Sequence, residues 1–567
     1  MVFWGLFTMI LPPCMQVAVL EEKMIYFIPA WYQQGQWHEN EQSWTVRRMH
    51  TEFDDTVKQI QLFHRSKAYP YQIMLLSAAP NFRHFLHRQG VYHAPYWSCF
   101  DAIQEVRRKK MAVLSFHNLK WPEGIEFAYT PFVVVAMLKK EKYAQIDFGE
   151  DGNPIRIDLF QDGMLQRRNI YDDRGFISIT SLFEGGQPVY QDYLMENGIW
   201  KMRYFQKDGH IEINGKYPEY LLQYQDKVQP KRFSRLAYEN IEQVIYEVLA
   251  SYLSLAQEQD IFCVAMHGQH AQLLGEALKE KRRVLSFFED RYPVSAHPEA
   301  MGMIKGADYL VVDSEKNMDK IQQSLGMLPQ NAMAIPPYDS RVDLGISQQF
   351  RVQKVLVPVD GMEDGVFGQL IGLLGEYLLK NEKARIHLFT RRAEYGRMQK
   401  VLEQARNELR KAGLEEGWAA EEEEGQVSEN NLEPEDAVPI KFFVEQCVDE
   451  LSVSKCMREQ RLLVDMRKVP ELYLQVAAIS VGIPQLVRTE TEFVKHGKNG
   501  MVLEQIGALQ GALDYYLKGA KNWNQAMVCS YELVKEYTTE KLLGKWREVL
   551  GCVGGDSYLA VGKQGLE

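Results

Sequence analysis

Between Tyr129 and Tyr224 the chain is cut at short intervals by Asp151-Gly152, Asp162-Gly163, Gly185-Gly186, Asn197-Gly198 and Asp208-Gly209. Pairs of this kind supply the left-handed backbone that two-residue hairpin turns need. The runs between them alternate polar and apolar residues: Ala144–Phe148, Ile155–Phe160, Gln166–Tyr171, Phe176–Phe183, Val189–Leu194, Trp200–Gln206 and His210–Ile213. A period of two joined by tight turns predicts an antiparallel meander of about seven strands. On either side the texture is different. Strands are expected at Met24–Ile28, Tyr71–Leu76 and Lys110–Phe116, interleaved with amphipathic Glu52–Arg65 and a helix near Asn81–Gln89. After the meander come an amphipathic helix, Tyr238–Ala256, and strands Asp260–Ala265, Arg283–Phe287 and Tyr309–Val312. Strand–helix alternation implies a parallel sheet covered on both faces. A free-standing β module is the alternative, but α/β sequence on both sides favours an insertion.

A second α/β series begins at Lys354. It has a helix at Val366–Lys380, strands at Arg385–Phe389 and Ile440–Phe443, and a strand–helix–strand unit over 461–505. The expected organisation is an N-terminal Rossmann-like domain in two pieces, 24–128 and 226–345, with a β-sheet domain inserted at 129–225. A C-terminal Rossmann-like domain, 346–521, follows, and one amphipathic run, 522–550, is placed to cross back. Glu415–Asp436 holds ten carboxylates and no Lys or Arg, which predicts a disordered insertion 415–436. At 567 residues and 46% hydrophobic content the chain can bury several cores, and its net charge of −11 argues against nucleic acid as the main partner. Seven scattered cysteines without a CxxC pair read as reduced thiols, with no disulfide scaffold and no zinc site. Val2–Leu20 is uncharged, is broken by Pro12-Pro13 and runs into Glu21-Glu22. Without a basic start or a small-residue cleavage site, it reads as an extension upstream of a start at Met24; a peripheral apolar tail and an anchor are the alternatives.

The 461–505 unit carries most of the functional information. Leu462-Leu463-Val464 ends in Asp465, Pro470-Glu471 opens a helix, and Gly482-Ile483-Pro484 leads into Gln485-Leu486-Val487 and then His496-Gly497-Lys498-Asn499-Gly500. This order resembles the C-terminal half of the retaining GT-B glycosyltransferases. That family carries two glutamates eight positions apart, which counted back from Pro484 fall at Val469 and Ala477. Neither is acidic here. Glu471 is two positions off, which turns a helical side chain by roughly 200°. The family's basic diphosphate clamp begins after the first strand of this domain, where this chain has Asp360-Gly361-Met362-Glu363-Asp364-Gly365. Losing one preorganised donor to developing charge costs about 2.7–4 kcal/mol, so these absences predict a silent donor site.

Other candidates carry less. His267 and His270, three apart after a strand, have no third ligand at matching spacing, so a Gly-hinged turn is the stronger reading. His84 and His87 suit a solvated helix face, and Glu289-Asp290-Arg291 a charged loop. Trp31, Tyr32, Trp37 and Trp44 form either an aromatic platform for a sugar face or plain packing. No Walker loop, nucleophile elbow or dinucleotide fingerprint is present.

Taken together, MIYFIPAWY, YWSCFDAIQ, the meander and PELYLQVAAISVGIPQLV resemble the first of the three accessory secretion proteins of the accessory Sec system of Gram-positive bacteria, over about 24–550. The resemblance implies an α/β protein with a GT-B fold of two doubly wound Rossmann-like domains and an inserted antiparallel extended β-sheet domain. It implies a cytoplasmic, non-catalytic protein without cofactor or metal, peripheral to the membrane through the translocon. The implied partners are the two other accessory secretion proteins, the accessory SecA ATPase and the glycosylated serine-rich repeat adhesin it exports. Glu471, Gln475, Thr489 and Glu490 are the candidate contacts at the cleft rim. The alternative is an active glycosyltransferase with a substituted donor site.

Overall fold

The computed structural model describes residues 23–32, 36–38, 51–225, 227–326, 331–420 and 440–555. Trp44, the apolar segment before Lys23 and residues 421–436 of the acidic run lie outside them.

Two parallel sheets carry the α/β halves. The first has seven strands in the order Ala332–Ala334, Tyr309–Val312, Arg282–Phe287, Ile261–Ala265, Ile25–Ile28, Tyr71–Leu75, Tyr96–Ser98. The second has six, in the order Phe442–Gln446, Ala384–Thr390, Gln353–Pro358, Leu462–Asp465, Gln485–Val487, Gly500–Val502. Both follow the doubly wound order, in which the chain starts at the centre, runs to one edge and returns to build the other. Their switch points fall between Ile25–Ile28 and Ile261–Ala265, and between Gln353–Pro358 and Leu462–Asp465. At such points helices leave in opposite directions and a crevice opens beyond the carboxyl ends of the strands.

The insertion is larger than the meander expected from alternation. Its sheet has ten strands, nine of them running from Ile125–Tyr129 to Ile211–Ile213 with Ala237–Tyr238 closing one edge, and a separate hairpin pairs Glu219–Tyr224 with Lys227–Arg232. Gly152, Gly163, Gly198 and Gly209 stand in the left-handed region, φ between 75° and 81°, at the expected turns. Lys110–Phe116 is not a strand. Residues 111–115 cross from the first domain to the insertion, the Ala112 amide bonding Asp173 O and the Leu114 amide bonding Asn153 Oδ1, both at 2.9 Å, while Val113 is 94% exposed. The edge position goes to Tyr96–Ser98, whose Trp97 stacks on Tyr252 at 4.2 Å.

Two buried arginines fasten the insertion. Arg83 reaches Asp173 at 2.5 Å and Asp172 at 3.1 Å, and Arg174 reaches Asp172 and Asp101, each at 2.7 Å. Lys201 is also buried and is paired with Glu105.

The single crossing run expected at 522–550 divides in two. Helix Ala520–Val534 stays on the second domain, with Trp523 buried and its Nε1 donating to Arg461 O at 2.7 Å. The chain then turns, Thr538 caps the next helix, and Thr539–Gly554 lies on the first sheet, where Trp546 packs against Phe63 and Phe27 at 5.6 and 6.4 Å. Burying Leu542, Trp546, Val549 and Leu550 there contributes about 1.5–3 kcal/mol each. Gly482 shows why the helix before it ends in glycine. Its φ is 78°, and a Cβ there would stand 2.9 Å from Met527 and Tyr531.

The acidic run does not begin as disorder. Glu416–Trp418 forms a 3₁₀ turn with Trp418 and Ala419 buried, and the Lys441 ammonium lies 3.9 Å from the Trp418 ring. One aromatic anchor overrides the composition of its neighbours.

Candidate functional site

The carboxyl edges of the two sheets face each other across a cleft of about 710 Å³. From the first domain it is lined by Trp31, Tyr32, Asp54, His267 and Arg291, and from the second by Asp360, Arg391, Arg392, Arg467 and Glu471. Behind it the halves are joined by aromatic packing, with Phe53 on Tyr473 at 4.7 Å and Tyr338 on Tyr473 at 5.1 Å. Lys58 adds an ion pair to Glu450 at 2.7 Å.

The second domain's wall is built at its switch point. Asp360 follows the first strand, as read from sequence. Arg391, Arg392 and Arg397 follow the neighbouring strand Ala384–Thr390, and Arg467 follows Leu462–Asp465. The position after the first strand is acidic, as expected, and the wall's basic groups enter from the other strand ends. Each is already engaged. Arg467 makes a two-point pair with Asp465, 2.8 and 2.7 Å, and donates to Asp360 O at 3.2 Å. Arg397 donates to Asp360 Oδ1 at 2.7 Å, and the Asp360 carboxylate also accepts from Thr390 Oγ1 and the Arg391 amide, each at 2.8 Å. Arg391 is paired with Glu471 and lies 3.4 Å from the Phe53 ring centroid. A dibasic pair just beyond a parallel strand was the signal available in the sequence, since ligands meet doubly wound sheets there.

Glu471 stands at the N-cap of helix Leu472–Val481 without capping it, so its carboxylate occupies the positive end of the helix dipole. Gln475 is fully buried, accepting from Thr491 Oγ1 at 2.9 Å, and is out of reach of a cleft ligand. Thr489 turns its hydroxyl to Lys468 O at 2.9 Å, and Glu490 is solvent-exposed; neither lines the cleft. Val469, at the first counted carboxylate position, is in the cleft wall, whereas Ala477 is partly buried against the core.

In the first domain's wall, Arg291 holds Asp55 at 2.5 Å and Asp54 at 3.0 Å. Asp54 also accepts from Trp31 Nε1 at 2.9 Å and caps helix Asp55–Ser66. Burial and the adjacent Asp55 still push its carboxyl up to about 6 against Arg291. His270 is fully buried, with Nδ1 donating to Ala265 O and Nε2 accepting from Tyr32 Oη, both at 2.6 Å. Burial takes it down to about 3. His267 caps its own helix by accepting from the Gln269 amide at 3.2 Å. The pair therefore completes a turn. Trp31, Tyr32 and Trp37 are each no more than 6% exposed and mainly pack the core.

Two Rossmann-like domains facing each other across a cleft at their switch points define the GT-B class of fold. The chain belongs to the family of the accessory Sec system protein known as accessory secretory protein 1, whose family model matches residues 24–552. The accessory Sec system protein of Streptococcus gordonii is 32% identical over 537 residues, 93% of this chain and 99% of that one. A chain in the crystal structure of accessory secretory proteins 1, 2 and 3 of Streptococcus pneumoniae is 28% identical, with a TM-score of 0.75 over 94% of this chain and all of that one. The pneumococcal O-GlcNAc transferase GtfA, solved with UDP and GlcNAc, shares the fold at 11% identity, with a TM-score of 0.67 over 94% of this chain and all of that one. Among the described residues no helix is long and apolar enough to cross a membrane.

Proposed function

We propose that this protein is a non-catalytic component of the accessory Sec export machinery. In this reading it works in the cytoplasm, at the inner face of the membrane, in a complex with the other accessory secretory proteins. It helps the accessory SecA ATPase export glycosylated serine-rich repeat adhesins, and its cleft meets the glycosylated substrate. The observation that carries the reading is that the cleft's second-domain arginines already face carboxylates of the protein itself. Glu471 holds Arg391, Asp465 holds Arg467, and Asp360, which binds Arg397, lies 3.7 Å from Arg392. A nucleotide diphosphate would have to displace groups that are covalently part of the wall, and hydrogen bonds to charged groups are worth about 1.5–3 kcal/mol each.

Calorimetric titration with UDP-GlcNAc, UDP-glucose and a glycosylated Ser/Thr-rich peptide tests this. Peptide binding without nucleotide-sugar binding is expected. Nucleotide-sugar binding with turnover would instead support the second reading, an active GT-B glycosyltransferase with a substituted donor site, which the arginines in the cleft favour. Binding of neither would leave a scaffold that never meets sugar.

A further inference from the structure

Outside the cleft, the second domain gathers soft ligand atoms at one sheet edge. Glu445 is the last residue but one of the edge strand Phe442–Gln446, and Cys447 follows the strand, its amide bonded to Thr390 O at 3.0 Å. A capping box at Asp449 and Ser452 then folds the chain sharply into helix Glu450–Glu459, which brings Cys456 back over the strand end. A carboxylate oxygen of Glu445, Cys447 Sγ and Cys456 Sγ lie within 4.8 Å of one another, and both cysteines are buried.

We propose that Cys447, Cys456 and Glu445 form a binding site for one zinc-class divalent ion, with water in the fourth position. Zinc–sulfur bonds of about 2.3 Å in a tetrahedron put ligand atoms roughly 3.8 Å apart. The observed spread closes to that value by side-chain rotation of under about 1 Å. Two thiolates and a carboxylate favour zinc or a similar borderline ion over magnesium or calcium, which take oxygen ligands. The outer groups are also placed as metal sites place them. His387, buried on the adjacent strand, donates from Nδ1 to Glu445 Oε1 at 2.7 Å, and Gln460 Nε2 points at Cys456 Sγ at 3.6 Å. Glu445 is about a third exposed and gives the ion its way in. Binding releases the two thiol protons to solvent. The ion ties strand to helix beside Glu450, the residue that pairs with Lys58 of the other domain, so the site steadies the contact between the halves.

The spacing of the two cysteines, with eight residues between them, matches no common zinc motif, which is why the sequence alone gives no sign of it. Cobalt titration of the reduced full-length chain tests the proposal. One Co²⁺ per chain with sulfur-to-cobalt charge-transfer absorption is expected, displaced by Zn²⁺. Cys456→Ser should abolish the absorption, and His387→Gln should weaken affinity about 10- to 100-fold, with circular dichroism confirming the fold of each variant. Absence of charge transfer in the wild-type chain would overturn the site without reference to any variant. So would peptide mapping of the denatured, unreduced chain that found Cys447 and Cys456 joined by a disulfide.

Discussion

The molecule holds two clusters of arginine and aspartate that use the same chemistry to opposite ends. Where the inserted sheet meets the first domain, Arg83 and Arg174 share Asp101, Asp172 and Asp173, and both guanidinium side chains are no more than 4% exposed. In the cleft, Arg391 and Glu471 are 14% and 16% exposed, and Arg392 is 53% exposed. The first cluster is a joint whose guanidiniums and whose Asp172 and Asp173 carboxylates are shut off from solvent, with Asp101 at its edge 23% exposed. The second is a wall whose charges are cancelled in pairs but remain within reach of solvent. Burial, more than the pairing itself, decides whether an arginine–carboxylate cluster locks two domains together or leaves a surface that a ligand can compete for.

The sharpest way to break the comparison is to remove one arginine from each cluster. Arg174→Ala leaves Asp172 short of a partner in a dry setting and frees Asp101 at its edge, and should cost about 3–5 kcal/mol in denaturant unfolding. Arg392→Ala, in the exposed part of the wall, should cost under about 1 kcal/mol. Equal losses would mean that the two clusters are not different in kind.

Acidity sharpens the same contrast. The joint has three carboxylates for two arginines, and burial, opposed by Arg83 and aided by Asp172, pushes the Asp173 carboxyl up to about 6. Folded Asp173 therefore holds its proton to a higher pH than the unfolded chain does. The stability this contributes is complete below about pH 4 and is lost as pH rises through about 6, on the order of 3 kcal/mol. Asp173→Asn should fall less steeply than wild type between pH 4 and 7 when unfolding free energy is measured at each pH. Parallel curves would show that Asp173 is ionised throughout.

In the cleft the corresponding change acts on binding more than on stability. Glu471→Gln combined with Asp360→Asn frees Arg391 and Arg397 from their carboxylates. It should raise affinity for UDP about 10-fold or more, since 1.4 kcal/mol is tenfold, while Asp173→Asn leaves UDP binding unchanged. An unaltered isotherm would mean that self-pairing is not what keeps the cleft from taking a diphosphate.

Much of this was legible along the chain because it depends on local spacing. The left-handed glycines of the meander and the turn at Gly482 are fixed by near neighbours. Asp360 after its strand was equally plain. What escaped is set by topology. Asp360, Thr390 and Arg467 become neighbours only because strands Gln353–Pro358, Ala384–Thr390 and Leu462–Asp465 lie side by side. Which carboxylate then takes which arginine is decided by side-chain reach. Lys110–Phe116 failed as a strand for a related reason: Tyr96–Ser98, too short to stand out by pattern, had already taken the edge, and Trp418 shows one buried ring outweighing an acidic composition.

The smallest expected effect bears on how the two clusters hold their arginines in place. Arg391 lies 3.4 Å from the Phe53 ring centroid, whereas Arg174 lies 5.6 Å from that of Phe176. A cation over an aromatic face is worth about 0.5–1 kcal/mol at exposed sites and more when desolvated, and the interaction weakens with distance. A double-mutant cycle of Phe53→Leu with Arg391→Gln should give a coupling energy near 1 kcal/mol, and the cycle of Phe176→Leu with Arg174→Gln a smaller one, although the second arginine is the more buried. The ordering matters because Phe53 also packs on Tyr473 across the domain boundary. If Phe53 and Arg391 are coupled, a ligand that draws Arg391 away from Glu471 also loosens the aromatic contact between the halves, and cleft occupancy is linked to domain position. No coupling at Arg391 would mean that Glu471 alone holds it, leaving the cleft wall and the domain joint behind it energetically separate.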